Sequence, residues 1–237
     1  MSKSIMHFGI GNDGPIIKKL DNTVICGAGG TGKTTLIKNI VANMLTLNKD
    51  DTIEVIIPNC YDDYYNEYLG NIRMLNYSKE DIEQSIIKRI KEELQGLVRD
   101  MLNVNDAKSD VELKYLVYVF DNLDFVNSMS PELTSVLASA LYFSDLLKIT
   151  FIISVDKIDE SNLDLFRKFK HIILLHNTED AISAVTKSKE PTTTEFYESR
   201  SARLVTGVGT KDGETFTFND SIDRMSFDLE TFLKRFN

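Results

Sequence analysis

Hydrophobic residues along the 237-residue chain fall into two rhythms. Five short runs are apolar at nearly every position: Thr23–Cys26, residues 53–57, Tyr115–Phe120, residues 149–154 and His171–Leu175. A strand with water on one face alternates apolar and polar positions. A strand buried on both faces does not, and unbroken apolar strands belong to parallel sheets covered by helices. Elsewhere the spacing changes to threes and fours. Leu36, Ile37, Ile40, Val41, Met44 and Leu45 form one helical stripe, and Ile82, Ile86, Ile90, Leu94, Leu97 and Met101 form a longer one running toward Asn103. Leu133, Val136, Leu137, Ala140 and Leu141 form a third. This alternation predicts an α/β fold of three layers: a mainly parallel sheet with helices on both faces.

The punctuation agrees. Asn48-Lys49-Asp50-Asp51 reads as a turn, and Pro58 ends the second run. Tyr61, Tyr64, Tyr65 and Tyr68 read as the packing face of a short helix over residues 61–70. Ser78, with Asp81 in the first turn, caps the long helix, and Ser130-Pro131-Glu132 starts the third. Residues 103–110 read as a polar surface loop. The opening segment, residues 8–20, carries Gly9, Gly11, Gly14 and Pro15 and reads as a short strand or loop leading into the sheet. Late in the chain, residues 203–206 and 215–218 flank Asp212-Gly213, which is a signal for a C-terminal β-hairpin. A helical stretch after Thr178, a loop over 191–194 and an amphipathic segment over 227–236 complete the reading. No repeat is evident, and the whole chain, 1–237, reads as one domain.

Chemistry enters directly after the first apolar run. Gly27-Ala28-Gly29-Gly30-Thr31-Gly32-Lys33-Thr34 fits G-x-x-x-x-G-K-[ST], between a strand and a helix. Glycines let the backbone curl so that successive N–H groups face an anion. The helix after the loop begins with N–H groups that lack internal partners and carry partial positive charge. Lys33 adds a full charge aimed at β- and γ-phosphates, and the Thr34 hydroxyl is placed to ligate Mg²⁺. Gly27, Gly29, Gly30, Thr31, Gly32, Lys33, Thr34 and Thr35 are therefore the expected cradle for a nucleoside triphosphate, which the family resemblance given below makes ATP. The run Tyr115–Phe120 ends in Asp121, where a buried parallel strand opens toward the ligand crevice. Asp121 is expected to complete the Mg²⁺ site through water.

Composition narrows the partners. Hydrophobic residues make up 42% of the chain, enough for a core. No apolar run approaches the roughly 20 residues that cross a bilayer, and the polar start does not resemble a signal peptide. Cys26 and Cys60 make neither a disulfide framework nor a zinc site, and His7, His171 and His176 show no metal spacing. Asp and Glu outnumber Lys and Arg 36 to 27, without a dense basic cluster, which argues against nucleic acid as a partner.

In the order and spacing of these parts, the chain resembles the FtsK/SpoIIIE family of motor ATPases from about Gly9 to Asn219. Its acidic composition favours the EssC/EccC branch, the multi-domain membrane ATPases of type VII secretion. The resemblance implies a RecA/FtsK-like P-loop NTPase fold excised from a longer chain on the cytoplasmic side of the cell membrane. It also implies neighbouring ATPase domains and secreted effector proteins as partners. The full-length protein is expected to form a hexamer. The fragment is expected to be a monomer.

Departures from the family's pattern concern the cleaving half of the site. The strand-end Asp is usually followed by a Glu that polarises water. Here Asn122 follows Asp121, and an amide cannot accept a proton as a carboxylate does. Asp124 is the substitute candidate. The family's sensor strand ends in Thr-Gln, whereas this one ends in Val155-Asp156: Val155 cannot hydrogen-bond a γ-phosphate, Asp156 repels one, and Ser154 offers partial compensation. Residues 138–147 contain no Arg or Lys to serve a neighbouring subunit. Two main readings result: an ATP-binding, weakly or non-hydrolytic module that regulates assembly or substrate engagement, or an active motor with Asp124 as base. A third, a pure interaction surface, predicts no ATP-dependent rise in melting temperature.

Overall fold

All five unbroken apolar runs are strands, and they stand side by side. The computed structural model describes residues 4–48, 53–58, 72–75, 84, 87–88, 90–92, 94–96, 98, 115–121, 131–144, 148–158, 163–175, 185, 201–208 and 213–218. In chain order the strands are β1 (Ile5–Gly11), β2 (Gly14–Lys19), β3 (Thr23–Cys26), β4 (Ile53–Pro58), β5 (Ile72–Leu75), β6 (Tyr115–Phe120), β7 (Ile149–Val155), β8 (His171–Leu175), β9 (Ser201–Thr206) and β10 (Gly213–Thr217). The helices are α1 (Lys33–Leu47), α2 (Pro131–Tyr142) and the short α3 (Leu163–Phe166). One sheet orders the strands β2-β1-β10-β9-β8-β3-β7-β6-β4-β5.

From β8 to β5 every pairing is parallel. The absence of alternation in these runs has a direct cause, since both faces are covered. Val24 and Cys26 look one way, into a core with Leu137, Ala140 and Leu141 of α2 and with Ile87 and Ile90, which are also helical. Ile25 looks the other way, toward Leu36, Ile37, Ile40, Val41 and Met44 of α1. On the α2 side, Tyr118 of β6 and Phe151 of β7 are register partners, and their rings stack with centroids 5.6 Å apart.

The sheet is nevertheless mixed. Beyond β8 it continues antiparallel through β9, β10, β1 and β2. The segment read as a strand or loop entering the sheet is instead an antiparallel pair of strands, β1 and β2, with Gly14 at φ +117° where they meet. Its glycines permit close packing. A Cβ on Gly9 would lie 2.4 Å from the Thr217 carbonyl oxygen and 2.5 Å from the Phe216 ring. The antiparallel end also curls. β1 is three places from β8, about 14 Å across a flat sheet, yet the Phe8 and His171 rings are 5.4 Å apart. The Asn48 amide ties α1 to the curled end, accepting from Ile5 N–H (3.2 Å) and donating to Ile5 C=O (3.0 Å). β5 was not expected from the pattern. The expected elements over 61–70, 103–110, 191–194 and 227–236, the cap at Ser78, and most of the long helix lie outside the described residues.

Two histidines of this region are buried, His7 on β1 and His171 on β8. Burial lowers the pKa of both His7 and His171, against smaller opposing contributions from backbone partners at Gly9 and Lys19 respectively. Around His171, Asp21 raises the value, while Lys170 and Lys18 lower it. His7 Nε2 and His171 Nδ1 lack hydrogen-bond partners among the described residues. A folded-state pKa below the unfolded value of about 6.5 means the unfolded chain binds more protons in mild acid. The stability that comes from neutral histidine is therefore complete above about pH 6.5 and is lost as the pH falls toward the folded pKa values. Melting temperature is expected to drop between pH 7.5 and 5.5, and to drop less in a His7→Gln/His171→Asn double variant. Equal slopes in the two proteins would contradict this.

Candidate functional site: a phosphate-binding loop

β3 is buried along its whole length, and the chain leaves its C-terminal end as the loop 27–32. The loop is anchored across the sheet, because Gly27 N–H donates to the Val155 carbonyl at 3.0 Å where β7 ends beside β3. Thr31 closes the turn, its hydroxyl donating to Ala28 C=O at 2.8 Å. Gly30 and Gly32 take φ of +79° and +94°, values that L side chains rarely adopt. Gly32 then caps α1 in the left-handed conformation, with no side-chain cap and no acidic residue in the first turn. The helix N-terminus therefore keeps its positive end available to an anion. Gly29 and Gly30 are exposed, Thr31 and Thr35 are half-buried, and Thr34 is exposed.

The polar groups converge from the start of α1 and from the ends of β6 and β7. Thr34 Oγ1 donates to Asp121 Oδ2 at 2.6 Å, and Ser154 Oγ donates to Asp121 Oδ1 at 2.9 Å. A hydroxyl beside a carboxylate is a hard-oxygen donor pair of the kind Mg²⁺ takes, with phosphate oxygens and water completing its shell. Lys33 turns back over its own loop. Its ammonium donates to Gly27 C=O (2.5 Å), Ala28 C=O (3.0 Å) and Asp156 Oδ1 (2.7 Å).

Two of these arrangements differ from the sequence expectation. The Ser154 hydroxyl is committed to Asp121 instead of facing a phosphate. Asp156, expected only as a repulsive charge, is the partner of Lys33. Pattern reading could find neither, because both depend on β7 lying between β3 and β6. A third neighbour also went unread: the Phe218 ring stands 3.3 Å from where a Cβ of Gly32 would be, so the segment just after β10 packs on the loop. Asn122 and the candidate base Asp124 lie outside the described residues. Beneath the loop, burial pushes the Cys26 thiol up to about 12, so it stays protonated and chemically quiet.

No family model matches the chain, and no curated protein does. Solved structures do. The EssC fragment containing ATPases 2 and 3 from Geobacillus thermodenitrificans matches with a TM-score of 0.70 at 15% identity, over 99% of this chain and 48% of that one. The cytoplasmic domain of Thermomonospora curvata EccC, a type VII secretion ATPase, matches with a TM-score of 0.68 at 14% identity, over 91% of this chain and 28% of that one. The fold is that of the EccC and EssC ATPase domains. An EccC fragment with the same fold, ATPases 2 and 3, has been solved with a signal sequence peptide. The conjugation coupling protein TcpA of pCW3, solved with ATPγS, also shares the fold, with a TM-score of 0.63 at 15% identity over all of this chain and 71% of that one. The chain thus spans about a quarter to a half of the EccC and EssC chains it matches. The EccC/EssC-like fold agrees with the resemblance read from the order of strands and helices. Among the described residues, no helix is long and apolar enough to cross a membrane.

Proposed function

We propose that this chain is the ATP- and Mg²⁺-binding domain of a type VII secretion membrane ATPase, with little or no hydrolysis of its own. One observation carries the nucleotide reading: Lys33, Thr34 and Asp121 meet at the N-terminus of α1, which no side chain caps, beside a loop in which Gly30 and Gly32 take left-handed φ. Gly27, Gly29, Gly30, Thr31, Gly32, Lys33, Thr34 and Thr35 hold the phosphates, and Thr34 with Asp121 holds the metal. Mg²⁺ held there would supply charge that neutralises the phosphates. Weak hydrolysis is supported by what surrounds that pocket. An amide, Asn122, follows Asp121, and no Arg or Lys lies between 138 and 147. Ser154 is tied to Asp121 in place of a free polar sensor.

In this reading ATP is a structural ligand. A ligand at about 100 times its Kd adds roughly 2.7 kcal/mol to the state that binds it. That is enough to bias how the domain packs against a neighbouring ATPase domain or engages a secreted effector. The chain is a single three-layer P-loop domain closed by a C-terminal β-hairpin, cut from a longer protein on the cytoplasmic face of the membrane. It is monomeric alone and hexameric within the parent.

ATP titration followed by both binding heat and phosphate release tests binding and chemistry separately. Saturable binding with Mg²⁺ and turnover far below about one per second are expected, against a median near 10 per second for enzymes at large. Turnover of about one per second or faster would favour the active motor, with Asp124 as its base. Absent binding would leave an interaction module.

A further inference from the structure

Lys33 carries three N–H donors, and all three are taken. Two go to main-chain carbonyls of the loop itself, and the third goes to Asp156. The lysine side chain is 13% exposed and that of Asp156 is 57% exposed, so the aspartate is the outer partner. Its place is not set by a loose loop. Asp156 comes directly after Val155, the register partner of Cys26 and the acceptor of the Gly27 N–H, so the backbone ladder between β3 and β7 holds it against the phosphate loop. A phosphate group arriving at Lys33 must take over a donor. The two carbonyls cannot leave without remaking the loop, whereas Asp156 can rotate into solvent.

We propose that Asp156 is a specificity-determining residue. Its carboxylate occupies the phosphate position on Lys33 and, once displaced, selects against a γ-phosphate and in favour of a nucleoside diphosphate. The inference rests on the nucleotide-binding reading above and deepens it. Displacing Asp156 costs every nucleotide the same broken ion pair. The repulsion from the displaced carboxylate differs between nucleotides. That carboxylate remains tethered to the end of β7, near the Lys33 ammonium. A triphosphate brings its terminal, doubly charged group there, and like charges a few ångströms apart repel even where solvent partly screens them. A diphosphate keeps its charge nearer the α1 N-terminus, where the loop N–H groups balance it. Asp156 would then narrow the margin by which the domain holds a triphosphate over a diphosphate, unless a neighbouring cation offsets it.

The test compares the wild-type protein, Asp156→Asn and Asp156→Glu by calorimetric titration with ATP and with ADP, each with Mg²⁺. Asp156→Asn is expected to tighten ATP about tenfold and ADP about threefold, raising the preference for ATP over ADP by about a factor of three; each tenfold step corresponds to about 1.4 kcal/mol. Asp156→Glu keeps the charge and is expected to retain the wild-type ratio, which a merely structural role for the side chain would not require. Melting curves without nucleotide verify that the variants fold. An unchanged ATP-to-ADP ratio in Asp156→Asn overturns this inference while leaving nucleotide binding intact. Weakened ATP binding in that variant also overturns it, and would mark Asp156 as a holder of the metal or the loop. Failure of all three proteins to bind either nucleotide overturns both readings together.

Discussion

Replacing Lys33 with Ala is expected to weaken ATP binding by about 100-fold or more and to abolish any nucleotide-dependent rise in melting temperature. The size of the loss reflects what the ammonium does. A hydrogen bond from a charged donor is worth about 1.5–3 kcal/mol, and each 1.4 kcal/mol is a factor of ten. Lys33 does more than donate. It neutralises Asp156 at 2.7 Å and covers the carbonyls of Gly27 and Ala28. Without it, a phosphate would meet a free carboxylate and the bare Gly27 carbonyl, both repulsive. Because α1 and β3 are held by the core on both sides of the loop, the variant should still fold. Binding heat alongside a melting curve distinguishes the two effects. A variant that binds ATP within a factor of three of wild type would remove Lys33 from the site.

Gly27→Ala is expected to destabilise the protein by about 2 kcal/mol, as overpacking a tight position typically does. For a chain of this size that lowers the melting temperature by about 4–8 °C. Gly29→Ala, two residues on, is expected to change stability by less than about 0.5 kcal/mol. The contrast is one of space. A Cβ on Gly27 would stand 2.5 Å from Thr31 Oγ1 and 2.9 Å from both Cβ and the carbonyl oxygen of Leu175. The Leu175 carbonyl belongs to β8, the parallel neighbour of β3, and cannot move without disturbing that ladder. At Gly29 a Cβ meets nothing within 4 Å. Thermal or chemical unfolding of the two variants measures the difference directly, and equal losses would show that the loop is not packed as described.

These glycines mark the limit of what the pattern could reveal. The sequence alone calls for glycine throughout the loop so that the backbone can curl around an anion. For Gly30 and Gly32 that reason holds, since both take left-handed φ. Gly27 does not, and a Cβ there would collide both with the Thr31 hydroxyl of the loop and with Leu175, a residue far away in the chain. The same division runs through the fold. β3, β4, β6, β7 and β8 were legible because burial on both faces leaves a continuous apolar record. β5 was not: Ile72-Arg73-Met74-Leu75 is four residues long and contains a charge, and only its parallel ladder to β4 makes it a strand. β1 and β2 looked like a glycine-rich lead-in. They are strands because they pair with each other, and Gly9 lets β10 approach β1 closely.

What the sequence determined by itself was the loop and its helix: a hydrophobic strand, glycines, a lysine and a threonine in contiguous order suffice, because phosphate binding at a helix N-terminus is a local property of the chain. What only the tertiary structure decided was the company that loop keeps. Asp156 on Lys33, Ser154 on Asp121 and the Phe218 ring against Gly32 all depend on β7 and β8 flanking β3 and on the antiparallel end curling back. Strand order is set by how crossover connections bury both faces of the whole sheet at once, and no window of neighbouring residues encodes that.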